Sequence, residues 1–147
     1  MINKKSIFLA VSIFLILFFC FFYYKKTTPA PVNGFSIGGV YVNIDKVDTE
    51  EKRMRGLSGR DALSPDSGLF FVFEKPEIVS IWMKDMKFPI DIIWIDENLH
   101  VIYIKEKATP ESFPEIFNPP SEAMYVLEVN AGFVEKNKIE VGDRVVL

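Results

Sequence analysis

The sequence predicts a mainly β fold, a small antiparallel barrel or jelly-roll-like sandwich with one or two short helices, preceded by one N-terminal transmembrane helix. Three observations predict it. An unbroken apolar run, Ile7 to Tyr24, sits between lysine pairs. Beyond it, apolar residues come in stretches of strand length, either alternating or continuous. Turn-forming residues such as Ser64-Pro65-Asp66-Ser67-Gly68 and Asp96-Glu97-Asn98 punctuate those stretches.

The N-terminal element spans residues 1–26. Its apolar core carries no charge, and Ser12 and Cys20 are the only mildly polar breaks. A helix over this run would be about 27 Å long, close to the roughly 30 Å of a hydrocarbon core. Lys4, Lys5, Lys25 and Lys26 suit the headgroups, and Tyr23 and Tyr24 suit the interface. A cleaved signal peptide is the main rival, but it wants small residues after the apolar run, and here Phe21-Phe22-Tyr23-Tyr24 follow. A lipoprotein site at Cys20 is disfavoured because Phe19 is large and the apolar run continues past the cysteine. The very short tail before the run favours a cytoplasmic N-terminus and an extracytoplasmic domain. The expected partner of Ile7–Tyr24 is therefore the membrane.

Residues 27–33 read as an extended linker, because Pro29 and Pro31 deny it helix and ladder hydrogen bonds. Residues 34–147 are the size of one domain with one core. Setting aside the four N-terminal lysines leaves 13 basic residues against 20 acidic ones, a net charge of −7. Nucleic-acid binders carry basic stripes, so no nucleic-acid partner is expected. The domain has no cysteine, hence no disulfide and no thiolate metal site.

Within the domain, Gly39–Asp45 alternates as a half-buried strand. Asp48-Thr49-Glu50-Glu51 starts a short helix, with Asp48 as cap and Gly56 or Gly59 as its end. Leu69–Phe73 and Glu77–Met83 are expected to form a strand pair across Lys75-Pro76. Ile90–Ile95 and Leu99–Ile104 form the clearest hairpin, Thr109–Pro120 a long loop, and Tyr125–Val129 another strand. Asn130 is placed to cap a short helix through Lys136, and Arg144–Leu147 closes the chain as a last strand.

Six pieces then appear in order. They are Arg55-Gly56-Leu57, Gly68-Leu69-Phe70-Phe71-Val72-Phe73, Trp82-Met83-Lys84, Pro89-Ile90-Asp91-Ile92-Ile93-Trp94-Ile95-Asp96, Glu128-Val129-Asn130-Ala131-Gly132 and Gly142-Asp143. Together they resemble the domain of unknown function 192 family, over nearly all of residues 34–147. The resemblance implies a compact β-rich fold of jelly-roll or barrel type, often exported, and no established activity. Relatives commonly follow Arg-Gly-Leu with Met and a bulky residue, where this chain has Ser58-Gly59. They commonly follow Trp-Met-Lys with Asn-Thr, where this chain has Asp85-Met86.

The candidate ligand-binding residues are Arg55, Trp82, Lys84, Asp91, Glu128 and Asn130. Trp82 could stack on a ligand and Lys84 could pair with it, or the tryptophan could fill the core while the lysine snorkels past. Asp91 opens an otherwise apolar strand, either paired with Lys84 or Arg55 or placed at a wet strand end. Glu128 stands between Leu127 and Val129 and would need a cation such as Arg55 or Lys84 if buried. Asn130 suits a helix cap better than a ligand contact.

No nucleophile elbow surrounds a serine, and His100 stands without a second histidine or cysteine at ligand spacing, so no metal is expected. Phosphate-loop and dinucleotide glycine patterns are absent, and no cofactor is expected. The function this favours is a non-catalytic ligand-binding or assembly module at the membrane, taking a small polar ligand or an envelope partner. The alternative is a hydrolase that uses two of Asp85, Asp91 and Glu128 as acid and base.

Overall fold

The computed structural model describes Phe18 and residues 33–146. The expected anchor, other than Phe18, and the linker up to Val32 lie outside the described residues. Among the described residues, no helix is long and apolar enough to cross a membrane. The domain is mainly β, as expected.

Among the described residues, nine strands run in the order β1 Gly34–Ile37, β2 Val40–Val47, β3 Ser67–Glu77, β4 Ile81–Trp82, β5 Ile90–Ile95, β6 Val101–Ala108, β7 Ile116–Phe117, β8 Ala123–Asn130 and β9 Val145–Val146. Helix α1 (Glu50–Arg55) follows β2, and α2 (Phe133–Asn137) follows β8. Seven strands make one sheet in the order β6-β5-β8-β3-β2-β1-β9, while β4 and β7 pair as a separate ribbon. Every pairing is antiparallel except β2 with β3, which α1 joins as a crossover.

The sheet curls into a half-barrel whose two outer strands meet at one end. The Val101 N–H donates to the Asp143 carbonyl at 2.9 Å, and the Val145 N–H to the Leu99 carbonyl at 2.8 Å. His100 and Arg144 form a bridge between them. Inside this curl, strands far apart in the sheet order share one apolar cluster, built from Phe35, Ile37, Val42, Ile93, Ile95, Val101, Leu127, Val129 and Val145. Val134 of α2 and Ile139 complete it.

The opposite face carries a second cluster, with Leu69 and Phe71 of β3, Ile90, Ile92 and Trp94 of β5, and Val126 of β8. Leu57, Val79, Met83 and Phe117 cover it from the connections. Burial on both faces explains why β5 is apolar at five of six positions and fully buried along its length. Gly68 fits this close packing for a steric reason. A Cβ there would lie 2.7 Å from Leu127 Cδ1 and 3.1 Å from the Glu128 carbonyl oxygen.

Helix α1 is capped by Thr49 rather than Asp48; its hydroxyl accepts the Lys52 N–H at 3.4 Å. Gly56 ends it with φ 51°, a conformation that glycine adopts without strain. The expected pairing of Leu69–Phe73 with Glu77–Met83 is replaced. β3 runs on through Pro76 to Glu77, with an irregularity in its pairing to β8 between Val72 and Glu77. Ile81-Trp82 pairs instead with Ile116-Phe117, inside the segment expected to be loop. Gly34–Ile37 is a strand that its short length and mixed composition did not signal.

Candidate functional site

A cavity of about 350 Å3 opens on the face of the sheet opposite the curl. β3 contributes Phe71 and Phe73 on alternate positions, and Glu77 at its end. Helix α1 contributes Arg53, Met54 and Arg55, and its Gly56 end leads into Leu57 and Ser58. The connection after β3, with the β4 strand, supplies Val79, Ser80, Ile81 and Trp82, and Met86 follows. β8 supplies Glu128.

Glu128 is the unusual wall residue. It stands beside Leu69 on β3 and Ile92 on β5, both fully buried, and is itself 5% exposed. Its Oε2 is buried without a hydrogen-bond partner. Removal from water penalises the charged form and pushes the carboxyl up to about 8, with the Arg60 guanidinium acting in the opposite direction. The group is therefore mostly protonated at neutral pH.

The charged side chains around it differ in how far they are committed. Arg53 donates through Nη1 to the Asp48 and Val72 carbonyls, both at 3.0 Å, and lies over the Phe73 ring at 5.2 Å. Arg60 pairs with Asp45 at 3.0 Å. Arg55 makes no ion pair or hydrogen bond through its side chain among the described residues. Both serine hydroxyls on the wall are engaged: Ser58 donates to the Lys84 carbonyl at 2.8 Å and Ser80 to Asn118 Oδ1 at 2.6 Å. Trp82 is half-exposed, edge-on to Phe113 with the ring centres 6.2 Å apart, and Lys84 Nζ stands 5.9 Å over its ring. Among the described residues, no group of three or more His, Cys, Asp or Glu is placed to hold a metal ion.

The family model for DUF192, uncharacterized ACR, matches residues 35–147. The chain belongs to the DUF192 family. Its fold is also that of solved structures. A candidate transcription regulator from Sinorhizobium meliloti 1021 is 31% identical, with a TM-score of 0.69 over 72% of this chain and 81% of that one. A protein of unknown function from Novosphingobium aromaticivorans DSM 12444 has a TM-score of 0.74 over 80% of this chain and 90% of that one, at 24% identity. Among curated proteins, nothing matches.

In this DUF192 domain, the six candidate residues fall into three groups. Arg55, Trp82 and Glu128 line this same cavity. Lys84 stands beside it through its contact with Trp82. Asp91 and Asn130 lie elsewhere. Asp91 is fully buried and accepts the backbone N–H groups of Lys107 at 2.8 Å and Val134 at 2.9 Å, toward the inner cluster. Neither Lys84 nor Arg55 pairs with it. Asn130 donates to the Leu63 and Ser64 carbonyls at 3.1 Å, and the cap position of α2 belongs to Gly132. Sequence reasoning missed Phe71, Phe73, Val79 and Met86 as wall residues. The i, i+2 spacing of the two phenylalanines was the available signal for a shared face.

Ser58-Gly59 and Asp85-Met86, the two places expected to depart from the family pattern, meet in space. The Gly59 N–H donates to the Asp85 carbonyl at 2.9 Å, next to the Ser58–Lys84 hydrogen bond. Asp85 has φ 57°, in the left-handed region that Asn and Asp tolerate better than most residues. Ser58-Gly59 and Lys84-Asp85 thus form one contact between the end of α1 and the turn after Trp82, beside the cavity.

Proposed function

We propose that the protein is a non-catalytic ligand-binding module, tethered by the apolar run Ile7–Tyr24 and carrying its β domain on the extracytoplasmic side of the membrane. The observation that carries this reading is the cavity with Glu128 in its wall. A largely apolar, aromatic-lined hollow with one buried polar group lacking a partner is the usual make-up of a small-molecule site. A buried carboxyl left unpaired costs free energy that a ligand hydrogen bond would offset. Tethering is supported by the uncharged run and its flanking lysines.

Hydrolysis by a carboxylate pair from Asp85, Asp91 and Glu128 draws little support. Asp91 is occupied by two backbone N–H groups on the other side of the sheet from the cavity, and Asp85 is exposed. The regulator description belongs to the Sinorhizobium protein. The acidic balance of residues 34–147 offers no phosphate-binding stripe that would carry it over to this chain.

The test is a thermal-shift screen of the full chain in detergent against organic acids, amines, amino acids, sugars, nucleotides and metal ions. A ligand at 100 times its Kd adds about 2.7 kcal/mol, which moves the midpoint of a domain this size by several degrees. The expected result is a shift that Trp82→Ala abolishes. Silence across the library, with Glu128→Leu raising the midpoint, would make the cavity a packing defect and remove the reading.

A further inference from the structure

We propose that the cavity takes an organic acid, a carboxylate on an apolar or aromatic body of about a dozen non-hydrogen atoms, held between the Arg55 guanidinium and the Glu128 carboxyl. This rests on the binding-module reading and names the ligand class for it. The size follows from a volume of about 350 Å3, at roughly 30 Å3 per water-sized unit. The body follows from the walls, where Leu57, Phe71, Phe73, Val79 and Trp82 leave apolar surface for it.

The charge of the ligand follows from which groups are free. Arg60, outside the cavity wall, pairs with Asp45. Of the two guanidiniums in the wall, Arg53 is held through Nη1 by two carbonyls, while Arg55 makes no side-chain hydrogen bond or ion pair among the described residues. Its planar fork fits a carboxylate. Glu128 is the complementary group. Protonated, it is a donor as well as an acceptor, and a ligand carboxylate is an acceptor only. A hydrogen bond from the Glu128 O–H to a ligand carboxylate is of the short, charge-assisted kind.

An ammonium ligand is disfavoured by its neighbours. The wall carries Arg53 and Arg55 of α1, and the Arg60 guanidinium acts on Glu128 from outside that wall. Glu77 at the end of β3 is the one other acid in the wall besides Glu128. Across the neighbouring strands Glu128 faces only Leu69 and Ile92, so no further titratable group on β3 or β5 opposes it in register.

A proton linkage follows. A carboxylate ligand binds the form of the site in which Glu128 keeps its proton, and loses affinity once that carboxyl ionises above a pH of about 8. An ammonium ligand would show the reverse.

The experiment is isothermal titration of the full chain in lipid nanodiscs, with empty nanodiscs subtracted. The matched probes are 4-phenylbutyrate and 4-phenylbutylamine, at pH 7 and pH 9.5. The expected result is preferential binding of 4-phenylbutyrate at pH 7, weaker by about tenfold or more at pH 9.5. Glu128→Gln, which keeps a neutral donor at the same place, should bind it with that pH dependence gone. Arg55→Ala, an exposed substitution that leaves the core untouched, should weaken binding at both pH values. Preference for the amine, with affinity rising with pH, would overturn the acid assignment and leave a ligand-binding module standing. Failure of both probes, with another class found by the thermal-shift screen, would do the same. Failure of both probes with a silent screen would remove the module itself.

Discussion

Asp91 and Glu128 are diagonal neighbours on adjacent strands, since Asp91 pairs with Val129 and Ile92 with Glu128, and their carboxyls enter opposite faces of the sheet. The consequences diverge. Asp91 meets two backbone N–H groups that have no other place in the ladder, and stabilises the start of α2 and the end of β6. Glu128 meets apolar surface, and its Oε2 remains without a partner.

For Glu128, stability should depend on pH with a particular sign. Its folded-state carboxyl stands at about 8, above the ordinary 4.5. Between those values the native state holds a proton that the unfolded chain has lost, so stability falls as pH rises through this window and levels off above it. The limiting slope is about 1.4 kcal/mol per pH unit. Urea denaturation from pH 5 to 9 should show this decline, and Glu128→Gln should flatten it. An unchanged slope in the variant would place the carboxyl in water.

For Asp91, removal of the side chain strips acceptors from two backbone donors, that of Val134 being buried. Asp91→Ala should cost about 3 kcal/mol or more. Chemical denaturation measures this directly. Ligand binding by the molecules that survive folding should be unaffected, because the cavity is on the other face.

The two tryptophans should behave differently. Trp94 is fully buried and donates through Nε1 to the Val79 carbonyl at 2.8 Å, so Trp94→Ala should cost about 3–5 kcal/mol. Trp82 is 52% exposed, so Trp82→Ala should change stability by about 1 kcal/mol or less. Ligand binding should respond in the opposite order. Paired melting and binding measurements on the two variants check both halves, and a large loss of stability from Trp82→Ala would return that residue to a structural role.

Local patterns made much of the fold legible. The hairpin around Asp96-Glu97-Asn98 appears as β5 and β6, where Asp96 Oδ1 accepts the Asn98 and His100 N–H groups at 2.9 and 2.8 Å. The acidic start and glycine end of α1 also stand out, since caps depend on residues within one turn. The Ile81–Trp82 pairing is not legible locally, because the partner lies more than thirty residues away at Ile116–Phe117 and nothing in either dipeptide names the other.

By itself, then, the sequence determined the strand and turn periods, the burial demanded of β5, the family, and the oddity of an acid at Glu128 between two apolar neighbours. Only the tertiary structure decided where the acids go. Alternation puts Asp91 and Glu128 on definite faces of their own strands, but strand pairing and the curl of the sheet decide what covers each face. One face offers Asp91 the N–H groups of Lys107 and Val134. The other leaves Glu128 in the wall of a cavity with Arg55 and Trp82, residues that lie 73 and 46 positions away along the chain. Such contacts are set by long-range packing, which no local spacing in a single chain encodes.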